Sequence, residues 1–300
     1  MNINMHRAET SVPVARRFGG RMAAAGAALA VGLIATTGAM ADVVGAPAPW
    51  QTSMQAAATP IMERITSFHS YLFWVCVLIT LFVTGLLAWC IFRFNEKANP
   101  EPSKTTHNTL LEVAWTLVPV LILVAIAIPS FRLLYAQQVI PEADMTIKAI
   151  GNQWYWSYEY PDHDDLSFDA VMLQDDELKP GQPRLLATDN EVVVPVGKTI
   201  RVIVTASDVL HAWAVPAFGV KVDGVPGRLN ETWFRAEKTG IYYGQCSELC
   251  GKDHAFMPIA VRVVSEQDFN TWLAKAKVEF GSLDTGRGAI RLASAEVTAR

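Results

Sequence analysis

Within twelve residues, Cys246-Ser247-Glu248-Leu249-Cys250-Gly251-Lys252-Asp253-His254-Ala255-Phe256-Met257, the chain carries two thiols, an imidazole and a thioether. Soft sulfur donors mixed with imidazole select copper or zinc over magnesium or calcium, and the thioether favours copper. His211, in the upstream run Asp208-Val209-Leu210-His211-Ala212-Trp213, is the obvious further ligand. A mononuclear blue-copper site uses one cysteine, whereas this loop has two. Two thiolates four residues apart can bridge a pair of copper ions, leaving each ion one imidazole and one weak ligand. Such a shared core changes little in shape on reduction, which lowers the barrier to electron transfer.

Simpler readings compete. A Cys246–Cys250 disulfide suits an oxidising compartment but leaves His211, His254 and Met257 unused. A structural Cys2His2 zinc site needs no methionine. Met257 alone would be read as core filler.

The elements that must hold this loop divide at about residue 136. Of the 300 residues, 51% are hydrophobic and only 18% charged, and the apolar ones concentrate before that point, as in a membrane-anchored chain. Formal net charge is −4, but the first 41 residues carry a surplus of three positive charges, so the remainder stands at −7. An acidic mature chain argues against nucleic-acid binding and for a basic partner. Cys76 and Cys90 lie in an apolar run, so there is no disulfide framework.

Residues 1–41, with basic residues, a small-residue apolar run and Ala39-Met40-Ala41, read as a signal peptide. Residues 42–67 form a polar lead-in, expected as a loop and a short surface helix. Residues 68–92 lack Asp, Glu, Lys and Arg and as a helix would extend about 37 Å, enough to cross a hydrocarbon core of about 30 Å. A second span is placed at 113–134, with Pro119 expected to weaken or kink it. Arg93, Lys97 and Lys104 on the connection place it in the cytoplasm, making a transmembrane hairpin (68–135) with both ends outside.

From 136 to 280 the texture is β-rich. Runs at 145–150, 154–160, 191–196, 199–206, 232–236, 241–245 and 258–264, separated by Gly/Pro turns, predict a β-sandwich. Ser265-Glu266-Gln267-Asp268 resembles a capping box opening a helix to about Phe280. Residues 281–300 lack apolar periodicity and are expected to be a disordered or processed tail.

The ligand loop, the block Gly151-Asn152-Gln153-Trp154-Tyr155-Trp156-Ser157-Tyr158-Glu159-Tyr160 and the two spans together resemble subunit II of bacterial haem-copper cytochrome c oxidase, from about Trp50 to Phe280. The resemblance implies a cupredoxin-like Greek-key sandwich holding a dinuclear copper A centre. In it Cys246 and Cys250 bridge, His211 and Met257 complete one copper, and His254 with the Glu248 carbonyl completes the other. It further implies that the Glu248 carboxylate reaches a magnesium or manganese ion shared with subunit I, and that Trp154 is where electrons from cytochrome c arrive. Trp156, its strand neighbour, is expected to be packing.

Glu159, Asp165, Asp189 and Asp208 match docking positions of the family; by themselves they read as parts of a solvated acidic face. Glu112 reads as an interfacial acid at a helix start, favoured by the helix dipole, and the family implies proton uptake there. Subunits I and III are the implied neighbours, the bacterial inner membrane the location and the periplasm the copper domain's side. Haem a, haem a3 and copper B would reside on subunit I, where oxygen is reduced and protons are pumped. A rival reading is an anchored metal-delivery protein, which needs neither Trp154 nor an acidic face. A quinol oxidase subunit would lack these ligands, and nitrous oxide reductase would need a propeller domain for which there is no room.

Overall fold

The computed structural model describes residues 45–281. The expected signal peptide and all but the first residue of the expected tail lie outside them.

Two helices come first: α1, Pro60–Arg93, and α2, Thr109–Gln138. Each opens on a side-chain cap, the Thr59 hydroxyl accepting from Met62 N–H and the Asn108 carbonyl oxygen from Leu111 N–H. Both satisfy orphan amide donors of a first turn. Their remaining surface is apolar almost all round: α1 buries only Ile61 and Met62, and α2 buries no residue. A helix hydrophobic on every side belongs in lipid or against other membrane helices. Both are long and apolar enough to span a membrane. Pro119 and Pro129 lie inside α2, which nonetheless runs unbroken through both.

Within the 42–67 lead-in the expected loop runs along the β domain as far as Thr59, but the helix that follows is no separate surface helix; it is the start of α1. The loop's ends are fastened to that domain: Tyr243 N–H donates to the Gly45 carbonyl at 2.9 Å, and Ala58 N–H to the Ala217 carbonyl at 3.0 Å. The first helix accordingly starts at Pro60, before the charge-free run, because Ile61 and Met62 pack down against the sandwich instead of facing solvent. Gly219 (φ 69°) sits at that junction, where a Cβ would fall 2.6 Å from Ile65 Cδ1.

The β domain is a sandwich of two five-stranded sheets. The first orders β3 (Leu166–Ala170), β2 (Tyr155–Tyr160), β1 (Met145–Asn152), β5 (Ile200–Ala206) and β8 (Asn230–Phe234). The second orders β4 (Val192–Pro195), β10 (Pro258–Val264), β9 (Gly240–Cys246), β6 (His211–Val215) and β7 (Val220–Gly224). β1–β5 and β4–β10 pair in parallel; the other neighbours are antiparallel. The two-helix hairpin and all-β sandwich expected from the sequence are therefore both present. Three strands were not foreseen: β3, β6 and β7.

Strand β2 shows why the sandwich is rigid. Its alternation buries Trp156, Tyr158 and Tyr160 on one face, and every polar tip finds a partner on the opposite sheet or its ligand loop. Trp156 Nε1–H donates to the Met257 carbonyl at 3.3 Å. Tyr158 Oη accepts from Trp213 Nε1–H at 3.3 Å. Tyr160 Oη accepts from Val193 N–H at 2.9 Å and donates to its carbonyl at 3.1 Å. On this strand each buried aromatic thus supplies apolar area while its polar atom keeps a hydrogen-bond partner.

Helix α3, Glu266–Glu279, packs against the sandwich beside β4. Ser265 caps it, accepting from Asp268 N–H, but Asp268 meets the Ser265 hydroxyl rather than its amide, so the reciprocal half of the expected capping box is replaced. Trp272 packs against Tyr160 and Phe168.

Candidate metal centre

Strands β6 and β9 are neighbours, with Trp213 opposite Cys246, so His211 at the start of β6 comes beside Cys246 at the end of β9. The loop after β9 then turns back into β10. Its two ends are held by Ser247 N–H donating to the Ala212 carbonyl at 3.0 Å and Cys246 N–H to the Met257 carbonyl at 3.3 Å. A 3-10 turn, His254–Phe256, lifts His254 to the site, and Met257 follows just before Pro258 starts β10.

The donor atoms converge. Cys246 Sγ and Cys250 Sγ stand 3.9 Å apart and unbonded. His211 Nδ1 is 3.8 Å from Cys246 Sγ, and His254 Nδ1 is 3.5 Å from Cys250 Sγ. Met257 Sδ lies 3.5 Å from Cys250 Sγ, and the Glu248 carbonyl 3.3 Å from Cys246 Sγ. Thiolate–metal bonds of about 2.3 Å let one ion reach both sulfurs at this separation. The ligand atoms of His211, Cys246 and Cys250 all lie within 4.8 Å of one another, and all three residues are buried. Two thiols, two imidazoles, a thioether and a carbonyl form a soft, nitrogen-and-sulfur donor set that fits copper.

The electrostatics prepare the pair unequally. Burial by itself would raise the Cys246 thiol, but hydrogen bonds from His211 and from the backbone at Glu248 and Ala212 outweigh it and bring it below the ordinary thiol range. Burial, then the neighbouring Cys246 charge, push Cys250 upward. The pair gives up its first proton easily and its second reluctantly, and a metal replacing both protons would release them on binding.

Behind the ligands lies a set of hydrogen bonds that the sequence did not reveal. Asp208 Oδ1 takes His211 Nε2 at 2.9 Å. An ionised carboxylate can only accept, so a proton is held on Nε2, and a metal that displaces the proton Nδ1 shares with Cys246 would find the Nδ1 lone pair aimed at it. Asp208 also accepts from Gln153 N–H at 2.7 Å. Gln153 Nε2–H in turn donates to the Cys250 carbonyl at 2.8 Å. One residue in the β1–β2 turn thereby ties the His211 side of the site to the cysteine loop. The spacing of Asp208 three residues before His211 was the available signal; Gln153 had none. Gly151 makes room, since a Cβ there would meet the His211 ring at 2.7 Å.

Trp154 is in that same turn and not the start of a strand, as the alternation of aromatics had suggested. Its indole Nε1–H shares the Cys250 carbonyl at 3.3 Å, and the Lys252 ammonium sits 5.4 Å from its ring centre. It is half-buried and borders a depression of about 650 Å³ with Phe256, Asp175 and Asp176 on its walls. Trp156, by contrast, is fully enclosed.

The four family docking acids do not form one group. Asp208 is beside Trp154, engaged as described. Asp189 accepts from Val171 N–H at 2.7 Å, next to the depression. Glu159 lies five residues along β2, about 17 Å away at roughly 3.3 Å per residue, paired with Lys148 at 2.9 Å. Asp165 is exposed at the turn into β3, near that same far end. Glu248 is half-buried and belongs to no cluster of metal-binding side chains among the described residues. Glu112 sits in the first turn of α2.

Comparison with known proteins agrees with this architecture. Residues 145–264 match the family described as cytochrome c oxidase subunit II, periplasmic domain, and residues 47–133 match the transmembrane domain of that subunit. The "Probable cytochrome c oxidase subunit 2" of Rickettsia felis is 56% identical over 228 residues, covering 76% of this chain and 72% of that protein. Cytochrome c oxidase subunit 2 of Cereibacter sphaeroides is 48% identical over 271 residues, covering 83% and 89%. The crystal structure of the periplasmic domain of subunit II from Bradyrhizobium japonicum is 65% identical, covers 47% of this chain and 99% of its own, and superposes with a TM-score of 0.45. By its sequence relatives and its two family domains, this chain belongs to the cytochrome c oxidase subunit II family.

Proposed function

We propose that the chain accepts electrons for a proton-pumping cytochrome c oxidase: electrons from cytochrome c arrive beside Trp154, are held at a dinuclear copper A centre, and leave for haem a of subunit I. The observation that carries this reading is the pair of thiol sulfurs 3.9 Å apart, each with its own imidazole Nδ1 within 3.8 Å. Cys246 and Cys250 would bridge, with His211, His254, Met257 and the Glu248 carbonyl completing the set. A copper pair so held supplies a one-electron carrier whose charge is shared over two metals. The chain's own contribution is rigidity: Trp156, Ala212 and the Cys246 amide hold the loop ends, and Asp208 fixes the His211 ring.

Trp154 suits electron arrival because its ring is partly accessible and its Nε1–H touches the Cys250 carbonyl, a short route to a bridging sulfur. Acids beside it, Asp175, Asp176, Asp189 and Asp208, would steer a basic cytochrome c, an effect that salt weakens. Glu159 and Asp165 would act only at longer range. The Glu248 carboxylate would ligate magnesium or manganese together with subunit I, oxygen being the donor such hard ions take. Glu112 would deliver protons at the cytoplasmic end of α2. Arg93 at the end of α1, with Lys97 and Lys104 between the helices, favours that end facing the cytoplasm of a bacterial cell, with the copper domain in the periplasm. Subunit III and the lipid membrane complete the surroundings.

The test is the copper-to-protein ratio and low-temperature EPR spectrum of the full chain purified from membranes. Two coppers per chain and a seven-line hyperfine pattern are expected. A single copper with four lines, or zinc in its place, would overturn the reading.

A further inference from the structure

A second cleft, of about 950 Å³, opens between α1 and α2 at the end of the hairpin nearest the β domain. Phe68, Ala125 and Pro129 line its lower part, one to two helical turns further from the β domain, and Glu63, Arg64 and Arg132 line its rim, nearer to it. Three observations describe what it can hold. Arg64 and Arg132 are exposed and form no ion pair among the described residues, so two guanidinium forks face one opening. Pro129 has no N–H, so the Ala125 carbonyl, one turn earlier on the same wall, loses its intrahelical donor. The helices around it carry exposed apolar side chains on every side, so the lower walls are contiguous with hydrocarbon while the rim stands where headgroups would be.

We infer that this cleft is a binding site for one anionic glycerophospholipid, its phosphate held by Arg64 and Arg132 and an acyl chain lying along Phe68 and Pro129. The charges at the rim favour that class: two arginines against one glutamate leave one net positive charge, which a phosphodiester neutralises. Guanidinium binds phosphate through paired N–H donors, more selectively than an ammonium does. Hydroxyl groups on a glycerol headgroup would supply donors that Glu63 and the Ala125 carbonyl lack. A zwitterionic choline headgroup has no donor to give and no net charge to match. The inference is independent of copper and of electron transfer, since it rests only on the membrane hairpin.

The test uses the full chain in detergent, stripped of lipid and returned to vesicles or nanodiscs of phosphatidylglycerol or of phosphatidylcholine, with retained lipid counted by native mass spectrometry. One retained phosphatidylglycerol per chain and no retained phosphatidylcholine are expected. The double variant R64Q/R132Q should retain phosphatidylglycerol about thirtyfold less well, the factor produced by two arginines each contributing about 1 kcal/mol near a charged headgroup. R64K/R132K should recover part of that loss, which a folding defect would not allow. Equal retention of both lipids, or an unchanged double variant, would overturn the proposal. Full competition by inorganic phosphate would reduce it to an anion site. Loss of the lipid once subunit I is added would show that a partner helix fills the cleft, and would likewise overturn it.

Discussion

The copper domain and the membrane hairpin solve opposite problems with their apolar residues. In the sandwich, apolar faces are turned inward and their polar tips are matched one by one: Trp156, Tyr158 and Tyr160 on a single strand reach three separate points across the core. In the hairpin the apolar faces point outward, and α2 buries nothing within the chain. The first region completes itself; the second is one wall of something larger. A ligand set that must not move is placed in the self-sufficient part, while the carboxylates proposed to work across a boundary, those of Glu112 and Glu248, join no cluster of metal-binding side chains among the described residues.

Substitutions in the two regions should therefore differ in kind. The largest effect is expected from Cys250→Ser, which should abolish the proposed copper pair as read by metal content and EPR while the chain still inserts in the membrane; loss of membrane-inserted protein as well would break the separation of roles. Next, Trp156→Ala in the core should cost about 3–5 kcal/mol in denaturant unfolding. Leu121→Ala, exposed on α2, should change the stability of the isolated chain by no more than about 0.5 kcal/mol yet weaken co-purification with subunit I. A smaller effect is expected for Gln153→Ala. It removes one hydrogen bond to the Cys250 carbonyl, worth about 1 kcal/mol, and should shift the copper EPR hyperfine splitting, a change that general loosening elsewhere in the sandwich would not produce.

The smallest effect concerns pH. A hydrogen bond from Lys277, joined by its charge, holds the Asp164 carboxyl below its ordinary value of 3.8. The folded value lies below the unfolded one, so the pairing of α3 to the β2–β3 turn is fully present above about pH 4. It is lost as pH falls through the folded value. Both side chains are exposed enough for water and salt to screen them, so acid unfolding curves of Asp164→Asn and the parent should nearly coincide above pH 4 and approach one another further below it. A large difference at neutral pH would mean that α3 is anchored by charge and not by Trp272 and Phe269.

How much of this was legible in the sequence follows from the range of each interaction. The ligand cluster could be read because four of its donors lie in one loop and chemistry alone groups them. The spans could be read from length and lack of charge. Strand β3 escaped because Asp165 precedes it and Asp169 lies within it, which masks the buried alternation Leu166, Phe168, Ala170. Strand β6 escaped because it is buried on both faces at its start, which erases alternation, and its first residue was read only as a ligand. The early start of α1 depends on Ile61 and Met62 finding the sandwich, a contact between distant segments, as Thr59 bonded to Phe218, 159 residues away, shows. Gln153 and Asp208 are joined across 55 residues by the way β1 and β5 lie parallel. No local pattern announces such a meeting.

Thr59 is a mechanical joint. Its hydroxyl accepts from the first turn of α1 at 3.1 Å and donates to the Phe218 carbonyl of the β domain at 2.7 Å. A single oxygen atom thus belongs to both regions. On the other side, Asp144, six residues beyond the end of α2, exchanges two hydrogen bonds with Thr199, at 2.9 and 2.7 Å. The head is fixed to its stalk at two points, as a bracket is and a tethered float is not. Tunnelling rates fall steeply with distance, so a redox centre mounted this way would keep a constant height above the membrane and a uniform transfer rate, turnover after turnover.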